Sequence, residues 1–112
     1  MNTDAMQRRA QIIGIKPEVI EEYERIHRAV WPEVLATIAA CNIRNYSIFR
    51  MGTTLFAYFE YHGTNYADDM ARMAADPKTQ EWWKITDPMQ TPLPEHAADE
   101  WWTPATEVFH TD

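Results

Sequence analysis

Tyr23, His27 and Trp31 stand four residues apart, a spacing that on a helix stacks side chains along one wall. An imidazole titrates near neutrality and both gives and takes protons, so His27 is the leading acid–base candidate. The phenol and indole on either side offer apolar faces with polar tips, suited to orienting hydroxyl groups and excluding water. The same spacing equally fits an amphipathic helix with an aromatic core stripe, in which the histidine is simply buried and satisfied. Trp82-Trp83 is the second candidate. Adjacent helical positions point about 100° apart, so two large rings do not serve one core-facing stripe. One is expected to pack inward and the other to form the rim of a pocket, where an indole is a platform for the C–H face of a sugar. Tyr46, in a predicted strand on the face opposite Asn45 and Ser47, is either an ordinary strand aromatic or a third such group.

Other chemistries find no support. His62, His96 and His110 lack ligand-like spacing to another histidine or to the single cysteine, Cys41, so no metal site is expected. The chain carries no glycine-rich phosphate loop and no nucleophile elbow. One cysteine excludes an intramolecular disulfide and suits a reducing cytoplasm. A formal charge of −7 with no basic patch argues against nucleic acid as a partner. No apolar run approaches the roughly 18 residues that read as a membrane span, and Met1 to Ala10 lacks the apolar stretch of a secretory signal. Asn45-Tyr46-Ser47 matches a glycosylation acceptor but falls inside a predicted strand. At 112 residues, 46% of them hydrophobic, the chain has room for one core.

The elements that must position these residues follow from patterning. Residues 1–5 read as a disordered extension, and 6–112 as a single domain. Gln7 to Ile15 reads as a strand whose two faces are Ala10, Ile12, Gly14 and Gln11, Ile13, Ile15. Lys16-Pro17-Glu18 opens a helix, with proline at its first turn and acidic residues at its positive end. Val19, Tyr23, Ile26 and Val30 form its apolar stripe, and Pro32 is expected to kink or restart it before a face of Val34, Leu35 and Ile38. Ile43 to Arg50 and Thr54 to Tyr61 read as a hairpin joined at Met51-Gly52-Thr53. The second strand is apolar on both faces, so the sheet needs a cover beyond this chain's own helices, and a homodimer is expected. Tyr66 to Ala75, with Met70, Met73 and Ala74 inward, and Lys78 to Ile85 read as helices. Asp87 to Pro94 holds three prolines and reads as irregular, and Thr106 to Thr111 as the last strand. The order β-α-β-β-α-β is a ferredoxin-like α+β fold, a four-stranded antiparallel sheet with helices on one face.

Taken in order, the motifs of residues 8–109 are similar to those of the L-rhamnose mutarotase family. They are Glu21-Glu22-Tyr23 with His27, Trp31-Pro32-Glu33, Asn45-Tyr46-Ser47-Ile48, and Leu55-Phe56-Ala57 with Glu60. Trp82-Trp83-Lys84, Thr86-Asp87 with Met89, and Glu107-Val108-Phe109 complete the set. The resemblance implies a ferredoxin-like domain that dimerises through its sheets into a dimeric α/β barrel. It implies interconversion of the α and β anomers of a 6-deoxyhexose, L-rhamnose first and L-fucose next, with no cofactor and no metal. It also implies that His27 is the proton donor and that Tyr23, Tyr46, Trp82 and Trp83 contact the sugar. The base is left open among Glu60, Asp87 and His27 itself through a water. Residues Thr91 to Thr103, with Trp101-Trp102, are more elaborate than the family's shortest pattern and bear on which sugar fits.

Two other readings fit the same residues. One is a cofactor-free or haem-degrading monooxygenase on the same dimeric fold, which a haemin colour change or quinol-dependent oxygen uptake would reveal. The other is a non-catalytic sugar-binding module in which Trp82-Trp83 binds and His27 merely packs. In that case His27→Ala would leave affinity intact.

Overall fold

The computed structural model describes residues 6–112, so the expected extension at residues 1–5 lies outside the described residues. Strand β1 (Gln7–Ile15) is the centre of the sheet. Its odd-numbered residues face the helices, where Ile13 and Ile15 are buried. Strand β3 (Thr54–Tyr61) pairs with it antiparallel, Ile13 opposite Leu55 and Gln11 opposite Ala57. Burial along β3 alternates strictly, with Leu55, Ala57, Phe59 and Tyr61 inside. That is the period of two a half-covered strand imposes. Removing a side chain such as Leu55 or Ile13 from water stabilises the fold by about 1.5–3 kcal/mol each.

Strand β2 (Ile43–Met51) joins β3 through a two-residue connection in which Gly52 takes a left-handed φ of 59°, a conformation that costs glycine little. The pairing shifts between Arg44 and Ser47, and Asn45 there has a φ of +51°. In an unbroken register Tyr46 would stand opposite Tyr58 on the outer face. The extra residue at Asn45 turns Tyr46 inward, its ring 5.5 Å from that of Phe59, as bulges commonly do beside functional sites.

The first helical segment departs from its expected span. A 3₁₀ turn (Pro17–Val19) leads into helix α1 (Ile20–His27), and helix α2 (Pro32–Ala40) starts afresh. The Pro32 ring excludes a helical carbonyl at Arg28, and Trp31 before it is extended, with φ −58° and ψ 134°. Trp31 is therefore not on the stripe of Tyr23 and His27, as its spacing had implied. Helix α3 (Tyr66–Ala75) is capped by Asn65, whose side chain accepts from Asp68 N at 3.1 Å. Its Met70 and Met73 pack on the core, while Ala74, expected inward, is exposed. Helix α4 (Pro77–Thr86) is capped by Asp76, which accepts from Thr79 N at 2.9 Å.

The last strand is not at Thr106 to Thr111, where the sequence reading placed it. Asp87 to Pro94 is partly regular, with a 3₁₀ turn (Asp87–Met89) and strand β4 (Gln90–Thr91). After an excursion of residues 92–102, strand β5 (Thr103–Ala105) returns to the same edge of β1. The two fragments together fill the fourth position of the sheet, in the order β2-β3-β1-β4 with β5 beside β1. Residues 106–111 form no strand. The β5 register continued by two residues sets Glu107 opposite Arg8, and an Arg8 Nε–Glu107 ion pair of 2.9 Å stands there in place of ladder bonds. Val108 and Phe109 beyond it are exposed. No helix among the described residues is long and apolar enough to cross a membrane.

Candidate functional site

A cavity of about 710 Å³ opens between the helices and the inner face of the sheet. Tyr23, His27, Tyr46, Trp82 and Trp83 all line it, together with Asp87, Gln90 and Trp101. Trp31 does not line it, but its ring meets Trp82 edge-on at 5.2 Å. Trp82 is thus held between Trp31 and His27, the second contact being 5.3 Å and also edge-on. The Trp82-Trp83 pair divides as its helical angle requires. Trp82 is 7% exposed and packs inward, and Trp83 is 36% exposed.

The imidazole is oriented by its own helix. Nδ1 of His27 lies 2.7 Å from the Tyr23 carbonyl oxygen. A carbonyl only accepts, so Nδ1 carries a hydrogen and Nε2 is the nitrogen left to gain or lose a proton. The Tyr23 and His27 rings stack at 4.1 Å. Burial pushes the His27 pKa below its ordinary 6.5, opposed in part by the bond to the Tyr23 carbonyl. Burial also pushes the Tyr23 phenol upward, so it keeps its proton at neutral pH.

Asp87 caps the C-terminal end of α4 and faces the same cavity. Burial raises its pKa above the ordinary 3.8. Glu60, the other carboxylate weighed from sequence, is elsewhere. It accepts from Asn45 at 2.6 Å and from Tyr58 at 2.9 Å, is not among the residues lining the cavity, and is held below its usual range by these bonds. No group of three or more His, Cys, Asp or Glu side chains converges among the described residues.

Sequence reasoning missed Gln90. It is 6% exposed, donates from Nε2 to the Tyr23 hydroxyl at 3.1 Å, and accepts the Trp101 indole N–H at 2.7 Å. The only sequence signal was an unpaired polar residue among the prolines of a segment read as loop.

Comparisons with known proteins bear on the whole chain. The sequence profile of L-rhamnose mutarotase matches residues 8–111. An L-rhamnose mutarotase of Oceanobacillus iheyensis is 34% identical over 110 residues, covering 96% of this chain and 100% of the relative. An L-fucose mutarotase of Xanthomonas campestris pv. campestris is 35% identical over 111 residues, covering 94% and 88%. The crystal structure of an L-rhamnose mutarotase from Formosa agariphila superposes with a TM-score of 0.72 at 21% identity, covering 95% of this chain and 99% of that one. At that identity the structure speaks for the shared fold alone.

Proposed function

The chain belongs to the L-rhamnose mutarotase family, and from that premise we propose that it interconverts the α and β anomers of a 6-deoxyhexose, L-rhamnose first and L-fucose next. Its reaction class is sugar mutarotation, an isomerisation. The observation that carries the reading is the convergence of Tyr23, His27, Tyr46, Trp82 and Trp83 on one cavity, from two helices and a bulged strand. We assign His27 as the proton donor and the other four as the residues that hold the sugar.

Mutarotation opens the pyranose when the ring oxygen gains a proton and the anomeric hydroxyl loses one. Rotation about the freed carbonyl carbon and reclosure then give the other anomer. The reaction needs one group of each kind, and each positioned group is worth about 10²–10⁴-fold. His27 and Asp87 are the cavity-lining groups whose ordinary pKa values fall below that of a phenol. In this reading His27 Nε2 protonates the ring oxygen and the Asp87 carboxylate takes the anomeric proton. Burial lowers one pKa and raises the other, so the arrangements Asp⁻/HisH⁺ and AspH/His approach each other in energy. One proton then passes from His27 to Asp87 across the bound sugar on opening and returns on reclosure.

A homodimer is part of the proposal. The outer face of the sheet presents Phe49 at 63% and Met51 at 71% exposure, with Phe56 and Tyr58 beside them, and a second copy of this face is the simplest cover. Phe49→Glu should convert a two-chain mass in light scattering to a one-chain mass. We also propose that residues 6–112 form one catalytic unit in a cytoplasmic setting, which suits a chain whose one cysteine, Cys41, is free.

NMR saturation transfer between the α and β anomeric protons of L-rhamnose and of L-fucose tests the reading. Exchange faster with protein than without, and faster for L-rhamnose, is the expected result. No acceleration for either sugar would contradict it.

A further inference from the structure

The hydrogen-bond chain that ends on Tyr23 has a fixed direction. An indole N–H only donates, so the 2.7 Å contact from Trp101 Nε1 must fall on the amide oxygen of Gln90. The amide nitrogen is therefore the atom facing Tyr23, and it donates to the hydroxyl at 3.1 Å. The Tyr23 hydroxyl is thus an acceptor toward Gln90, and its own hydrogen must go elsewhere. Among the described residues, nothing else bonds that hydroxyl. Tyr23 is 4% exposed and Gln90 6% exposed, so neither group is free to swing into solvent and reverse the pattern. Tyr23 lines the cavity, where only a solvent or ligand oxygen is left to accept that hydrogen.

We propose that Gln90 is a positioning residue which, locked by Trp101, presents the Tyr23 hydroxyl to the cavity as a hydrogen-bond donor for an oxygen of the bound sugar. The proposal rests on the mutarotase reading and deepens it. Trp101 lies at the end of the excursion of residues 92–102 that interrupts the fourth strand position, so that loop takes part in sugar recognition without supplying the donor itself. The interruption has a purpose on this view. β4 delivers Gln90 from one side and the returning chain delivers the indole that sets its amide.

Gln90→Glu keeps the shape and reverses the polarity. The carboxylate still accepts from Trp101, but it also accepts the Tyr23 hydrogen and so withdraws that donor from the cavity. Measured by saturation transfer with L-rhamnose, Gln90→Glu is expected to lower kcat/KM about tenfold or more, a loss equivalent to about 1.4 kcal/mol for a hydrogen bond made only by the native protein. Tyr23→Phe should show a similar loss, and the double variant should be no worse than either single one. Trp101→Phe keeps the ring and releases the amide to flip, so a smaller loss is expected, present in the native background and absent beside Tyr23→Phe. Native-like exchange in Gln90→Glu, or losses that multiply in the double variant, would overturn the proposal. If Gln90→Glu does not fold, the Trp101→Phe pair decides alone, equal loss in both backgrounds or none in either overturning it. A native protein that exchanges no anomers would instead sink the mutarotase reading, so the two failures are distinguishable.

Discussion

Tyr61 and Tyr23 are both almost fully buried, at 1% and 4% exposure, and each accepts one hydrogen bond from the protein. The Tyr61 hydroxyl accepts from Asn65 N at 3.0 Å and gives its hydrogen to Asp69 at 2.5 Å. Asp69 also receives Asn42 at 2.9 Å and Arg72 at 2.8 Å, and Arg72 reaches the Ala40 carbonyl. The Tyr61 hydroxyl is used both as acceptor and as donor, and the donors around Asp69 push its pKa down to about 2. Among the described residues, the Tyr23 hydroxyl accepts from Gln90 and bonds nothing else, His27 Nε2 has no partner, and Asp87 faces the cavity with its pKa raised. Both clusters are polar and packed between helices and sheet. The closed one ties α3 to the loop before β2, while the open one turns its remaining donors and acceptors toward the cavity. Open positions held rigidly are what a substrate completes.

Breaking the open cluster should cost rate. His27→Gln keeps the volume but does not titrate, and saturation transfer should show L-rhamnose exchange slowed about 10²–10⁴-fold. Asp87→Asn should slow it by about 10² at the lower end of the same range. The native pH profile sharpens the assignment. A donor needing its proton and a base needing to be ionised give a bell, rising through the Asp87 pKa and falling through the His27 pKa. The raised Asp87 pKa puts the acid limb above 3.8, and the lowered His27 pKa puts the alkaline limb below 6.5. The limbs belong to the pair, which carries one proton at the optimum, and Asp87→Asn should remove the acid limb. A smaller effect is expected at the rim. Trp83→Ala should raise the KM for L-rhamnose by roughly two- to tenfold with kcat nearly unchanged, as loss of a stacking face does.

The closed cluster should respond in the opposite sense. Asp69→Asn should lower the thermal unfolding midpoint by several degrees at pH 7 and leave exchange per folded molecule alone. The sign follows from the depressed pKa. The stabilisation is fully present above the unfolded carboxylate value of about 3.9 and is lost as pH falls through about 2. Native and variant midpoints should therefore converge in acid.

Local patterning made most of this legible. Short apolar runs bounded by turn residues marked β1 and β3, and proline with acidic residues marked the helix starts. The four-residue spacing of Tyr23 and His27 became a ring stack, and the split of Trp82 from Trp83 followed from helical angle alone. What patterning missed depends on contacts remote in sequence. The β2 bulge turns Tyr46 inward, and its trace was the broken alternation of Ile43, Tyr46 and Ile48 with an asparagine at the break. The split fourth strand was missed because two- and three-residue strands have no period, and Val108-Phe109 imitated one. Gln90 is recognisable only once Tyr23 and Trp101 are seen on either side of it.

The most direct test sets the two clusters side by side, measuring L-rhamnose anomer exchange and thermal unfolding in native, His27→Gln and Asp69→Asn proteins. A proton-donating His27 beside a purely structural Asp69 requires that His27→Gln loses exchange and largely keeps its midpoint, and that Asp69→Asn keeps exchange and loses midpoint. Exchange at the native rate in folded His27→Gln would contradict it.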